Sequence, residues 1–156
     1  MKKVYIIFLL MYVSVSAYCQ MNKLDISGKW QSETPVVSSA LLDHYVFDGE
    51  NNAFEFRTNE YNGLNRVIAI GGDFEIKTDS LLYTVKYTLE YVGGFPIRSM
   101  STTLSDSWEL IEGEVKRNEF VGNTIIEKAI LRKNFDEKCG VEYLLIDDKV
   151  FYKIDY

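Results

Sequence analysis

Histidine, cysteine, proline and tryptophan are the scarce residues of this chain: one His, two Cys, two Pro and two Trp in 156 positions. His44 being the only histidine, no His-rich metal site and no pair of imidazole bases can be assembled. The hydroxyl clusters Ser38-Ser39 and Ser105-Asp106-Ser107 do not sit in a Gly-x-Ser-x-Gly elbow and read as loop residues capping backbone amides. Gly71-Gly72 and Gly93-Gly94 lack the spacing and the following helix of a phosphate loop or dinucleotide fingerprint. Asp147-Asp148, adjacent on an extended chain, are explained as a hairpin turn rather than as an acid–base pair. These absences lead us to expect no catalytic residues, no metal and no cofactor. Basic residues are also outnumbered, 17 against 23 acidic, for a net charge of −6. That balance argues against nucleic acid and against anionic membrane surfaces as partners.

Long apolar runs are almost missing too. The exception is Val4 to Val13, preceded by Lys2 and Lys3 and followed by the small residues Ser14, Ser16 and Ala17. At ten residues the run is too short for a transmembrane helix, and residues 1–19 read as a signal peptide for export to the periplasm or medium. Cleavage after Cys19 places Ala17 and Cys19 at the small-residue positions; cleavage after Ala17 is the alternative. Lipid anchoring at Cys19 would want a small residue before the thiol, where Tyr18 stands. Without Lys2 and Lys3, 15 basic residues face 23 acidic ones, a balance of −8. Cys139 is then left alone, so the mature domain, 20–156, has to be held by its core rather than by disulfides.

What is present is alternation. In Tyr83-Thr84-Val85-Lys86-Tyr87-Thr88-Leu89-Glu90-Tyr91 every odd position is apolar or aromatic and every even one polar, which on a strand puts the three tyrosines on one face. Phe54-Glu55-Phe56-Arg57 and Phe74-Glu75-Ile76-Lys77 repeat the pattern. Asp48-Gly49, Asn62-Gly63, Gly93-Gly94, Gly113, Gly122-Asn123 and Asp147-Asp148 punctuate it with turn chemistry. Gly71-Gly72, inside a run, predicts a bulge or bend. Ten strands are expected, near 28–34, 43–48, 53–58, 65–78, 81–92, 99–111, 114–121, 124–133, 140–146 and 149–155, with at most one helical turn at 36–44. Ten sequential strands with short turns favour an antiparallel up-and-down meander that closes on itself, an all-β barrel of eight to ten strands.

Gly28-Lys29-Trp30, opening the first strand, resembles the Gly-x-Trp signature that starts lipocalin and related calycin barrels. Gly71 to Leu82 resembles the middle of small secreted bacterial lipocalin-like domains. Trp108 to Gly113, with Glu127 to Arg132, resembles their closing strands, although Ala129 stands where an aromatic residue is usual. The resemblance spans about residues 28–133. It implies that Trp30 plugs one end of a barrel beneath an arginine of the last strand, here Arg132. The hairpin 140–156 is then either an addition to the family pattern or the piece that completes the barrel.

Trp30, Phe54, Phe74, Tyr83, Tyr87 and Tyr91, with Phe56, either fill the interior or line a cavity. Three tyrosine hydroxyls on one inner face would need internal acceptors or a wet cavity, which favours the cavity. The expected function is non-catalytic binding of a small apolar or amphipathic ligand. The alternative is a protein-interaction module with a filled core, contacting its partner through the aromatic hairpin 140–156.

Overall fold

The computed structural model describes residues 22–36, 42–58, 66–78, 80–100, 106–120 and 125–154, and for 24, 98–100, 106–108 and 125–130 it describes the backbone alone. The leader with both cleavage positions, Cys19, Ser38-Ser39, Ser105 and the centre of the helix candidate lie outside these residues. Among the described residues, a 3₁₀ turn at Lys23–Ile26 leads into nine strands: β1 Gly28–Ser32, β2 His44–Asp48, β3 Ala53–Arg57, β4 Val67–Lys77, β5 Ser80–Met100, β6 Asp106–Glu119, β7 Ile125–Asp136, β8 Val141–Ile146 and β9 Lys149–Ile154.

Local chemistry accounts for the short hairpins. Between β2 and β3 the Asp48 carboxylate accepts the backbone N–H groups of Glu50 and Asn51, each at 3.1 Å, and Asn52 takes the positive φ the turn requires. Between β8 and β9 Asp147 and Asp148 have φ of 46° and 63°, the two left-handed residues of a tight hairpin turn. The turn assigned to that acidic pair from the sequence is what the chain forms.

The glycines in the middle of the chain act differently. Gly93-Gly94 and Gly113, read as turns, instead face each other within one long hairpin: β5 continues to Met100, and β6 returns with Gly113 opposite Gly93. Gly94 and Glu112, at the same level, have φ of 59° and 56°. A Cβ at Gly94 would run into the Ile111 carbonyl oxygen, so this position accepts only glycine. The ribbon kinks there without turning. A positive φ suits a kink and a turn equally, which is why ten expected strands become nine.

All nine strands belong to one sheet of antiparallel pairs, ordered β4-β3-β2-β1-β9-β8-β7-β5-β6, with a further pairing of β4 with β5. This is not the closed up-and-down barrel expected from the sequence. The 21-residue β5 is shared along one edge: Ser80 to Val85 pair with β7, and Tyr87 to Met100 pair with β6. Strand β6 therefore drops out of the succession between β5 and β7 and ends the sheet, pairing only with β5 among the described residues. The β8–β9 hairpin lies between β7 and β1, with both edges paired, so it is part of the sheet rather than an appendage.

The β4–β5 ladder carries the irregularity foreseen at Gly71-Gly72, but the extra residue is on the other strand. Gly71 pairs with Tyr87 and Gly72 with Val85, leaving Lys86 unopposed. One inserted residue exchanges the faces of everything beyond it.

The core lies on the face that presents Trp30, Phe47, Phe54, Phe74, Tyr83 and Phe151, closed below by Ile26 of the 3₁₀ turn. Leu81, Val85, Leu131, Leu144 and Ile146 complete it.

Candidate functional site

Trp30 is fully buried, and its indole N–H donates to the Ile26 carbonyl at 2.7 Å. The 3₁₀ turn thus both covers the ring and satisfies its one polar atom. The cation over the ring is not Arg132. Lys153 Nζ lies 5.8 Å from the Trp30 centroid, because β9 flanks β1 and places Lys153 directly opposite Trp30. Arg132 is exposed on β7, separated from β1 by β9 and β8. Around Lys153 a small charged network closes this end: Glu142 bridges Lys133 at 2.7 Å and Lys153 at 3.3 Å, and Lys133 also reaches the Asp25 carbonyl at 3.0 Å. The hydrogen bond from Lys133, more than the charge of Lys153, holds the Glu142 carboxyl below its usual range.

Of the six aromatic candidates, the structure brings four together. Trp30, Phe54, Phe74 and Tyr83 share the core; Phe54 lies 4.7 Å from Tyr83 between ring centroids. They pack against side chains. The hub of the cluster is Tyr45, which has ring neighbours Phe56 at 4.5 Å, Phe151 at 5.0 Å, Phe47 at 5.2 Å and Tyr83 at 5.9 Å. Sequence reasoning passed over Tyr45, although Tyr45-Val46-Phe47 beside Asp48-Gly49 carried the alternation that marks it as inward-facing. Such ring pairs contribute about 0.5–1.5 kcal/mol each beyond their buried area.

Tyr87 and Tyr91 leave the set. Beyond the Lys86 bulge, Tyr87 lies over Gly71 on the opposite face, its hydroxyl donating to Glu55 at 3.0 Å and its ring capped by the Arg117 guanidinium at 3.5 Å. Partial burial and the nearby Glu55 carboxylate raise the phenol above its ordinary range. Tyr91, on the same side of β5 as Tyr87, is 7% exposed, and its backbone N–H donates to the Arg66 carbonyl at 3.0 Å.

This outer face also holds His44, 6% exposed at the start of β2, opposite Gln31 and Arg57. Its Nδ1 lies 2.9 Å from the Leu42 carbonyl. Burial, and to a smaller degree Lys29 and Arg57, depress its pKa. Among the described residues no three His, Cys, Asp or Glu side chains are grouped to hold a metal ion.

Hollow space is found at the end of the core remote from the 3₁₀ turn. A recess of about 220 Å³, open to solvent, is walled by Tyr45, Phe56, Ile146 and Phe151, with Asp147 and Lys149 at its rim. Lys149 bridges Asp43 at 2.6 Å and lies 5.6 Å from the Phe151 ring. Ligand cavities for drug-sized molecules run from about 300 to 1,000 Å³. This one takes a single ring or a short chain, with the Asp147 carboxylate and the Asp43-bridged Lys149 ammonium at the entrance. Comparisons with protein-family models, with curated proteins and with solved structures return no match to this chain.

Proposed function

We propose that the chain is an exported, non-catalytic, lipocalin-like domain that holds a small, partly apolar group at its mouth. Eight strands, β4-β3-β2-β1-β9-β8-β7-β5, joined by the β4–β5 pairing, support a barrel-like body in this reading. Trp30 over the Ile26 plug supports a closed end, with Lys153 in the place of the family's arginine. The observation that carries the binding site is the recess walled by Tyr45, Phe56 and Phe151. The rim carries the Asp147 carboxylate and the Lys149 ammonium already bridged to Asp43, so the uncharged ring of toluene should bind better than phenylacetate. The test is an NMR titration with both compounds. Saturable shifts confined to Tyr45, Phe56, Ile146 and Phe151, weakened by Phe56→Ala, are expected. Absence of saturable shifts at millimolar concentration, or shifts indifferent to Phe56→Ala, would overturn the reading.

A further inference from the structure

Strand β6 ends the sheet with fourteen residues, no proline and one edge that has no strand partner among the described residues. Its outer portion belongs to a two-stranded ribbon, β5 from Phe95 with β6 from Asp106 to Ile111, whose described side chains include Phe95 at 55% and Ile97 at 38% exposure. Nearer the body, Val92 and Val115 are exposed as well. A two-stranded ribbon is marginal in water and gains from further strands, and an open edge is a template for another chain.

We propose that β6 pairs edge to edge with β6 of a second copy of this chain, antiparallel about a two-fold axis at Val115. Among axes on the exposed residues Glu112–Lys116, the charges along the strand select the register. In such a pairing the axis is perpendicular to the sheet and falls on one residue, and residues equidistant from it oppose each other on the same face. An axis on Glu112, Glu114 or Lys116 sets that charge against its own copy. An axis on Gly113 sets Glu112 against Glu114. An axis on Val115 sets no like charges opposite: Val115 meets itself, Glu114 meets Lys116 twice, Gly113 meets Arg117, Glu112 meets Asn118 and Ile111 meets Glu119. Glu114 and Lys116 already bridge at 3.1 Å within one chain, with side chains 65% and 53% exposed, so the same two groups exchange partners across the axis. The product is a four-stranded sheet, β5-β6-β6-β5, spanning two molecules. It buries the exposed Val115 and pairs Ile111–Glu119 of each β6, leaving Asp106–Leu110 as the remaining edge.

Sedimentation equilibrium of the chain, together with three variants checked for unchanged far-UV circular dichroism, tests this. The chain should show a concentration-dependent monomer–dimer equilibrium. Lys116→Glu, which turns two attractive pairs into Glu–Glu pairs, should weaken the dimer about tenfold or more. Adding Glu114→Lys to that variant restores the opposition of charges and should restore the dimer. With Cys19 and Cys139 replaced by Ser, Val115→Cys should oxidise to a covalent dimer, since residues opposed at the axis lie within disulfide reach; Glu114→Cys should not. A monomer up to millimolar concentration, or a dimer that Lys116→Glu leaves intact, would overturn the proposal.

Discussion

Tyr83 and Tyr87 look equivalent in the sequence, four residues apart in an unbroken alternation, yet one is in the core and the other on the outer face. The difference comes from one unopposed residue, Lys86, and the reason for it is carried by the opposite strand. A Cβ at Gly71 would run into the Tyr87 phenol, and a Cβ at Gly72 into the Thr84 carbonyl oxygen. The two glycines therefore respond differently to substitution. Gly71→Ala should displace Tyr87 from Glu55 and Arg117, lower its phenol pKa toward the ordinary 10.0 and cost about 1–3 kcal/mol by urea unfolding. Pairing it with Tyr87→Ala should recover most of that loss. Gly72→Ala meets backbone, and no side-chain truncation should relieve it. His44 gives a second prediction at this scale. Its folded pKa lies below the ordinary 6.5, so the unfolded chain takes up the proton first. The stability it contributes is complete above pH 6.5 and is lost as pH falls through the depressed folded value. As the only histidine it gives a single imidazole titration by NMR, whose midpoint should fall below 6.5, and His44→Gln should flatten the drop in stability between pH 7.5 and 5.5.

At the scale of elements, two ribbons have opposite standing. The C-terminal hairpin, read either as an added contact surface or as the piece that completes the barrel, supplies β8 and β9 between β7 and β1 and gives Leu144, Ile146 and Phe151 to the core. Deleting residues 141–154 should abolish the folded far-UV and near-UV circular dichroism. Replacing Phe95–Ile111 of the β5–β6 ribbon by a two-residue turn should leave the unfolding midpoint within a few degrees, because beyond the kink the described strands pair only with each other. Strand positions were legible from period-two alternation, and the hairpins at Asp48-Gly49 and Asp147-Asp148 from turn chemistry. What was not legible was whether Gly93-Gly94 turned the chain or bent it. That depends on Gly113 and Glu112 lying opposite, a relation between residues nearly twenty positions apart that no local pattern encodes.

Across the whole molecule, the all-β class followed from the alternation, and Trp30, which the resemblance at Gly28-Lys29-Trp30 implied as an end plug, is fully buried. The partner of Trp30 did not follow, because a cation above a ring is chosen by strand neighbourhood, and β9 lies beside β1 where β7 was expected. The aromatic interior was legible as a set; that its rings gather around Tyr45, beside an open recess, is a matter of packing. One core joins both ends of the chain, so unfolding should be a single cooperative event. In a Trp108→Phe variant, where Trp30 alone reports, the fluorescence transition in urea should coincide with that of circular dichroism. Separate midpoints would show that the core is divided.

The pairing of β1 with β9 also sets the timing of folding. Lys29 and Ile154, near opposite ends of the chain, are neighbours in the sheet, and β1 has one edge without its partner until Lys149–Ile154 has been made. A growing chain therefore carries an incomplete wall throughout synthesis, and contacts this distant in sequence form slowly. The seam between β1 and β9 can close only after the last strand has been made.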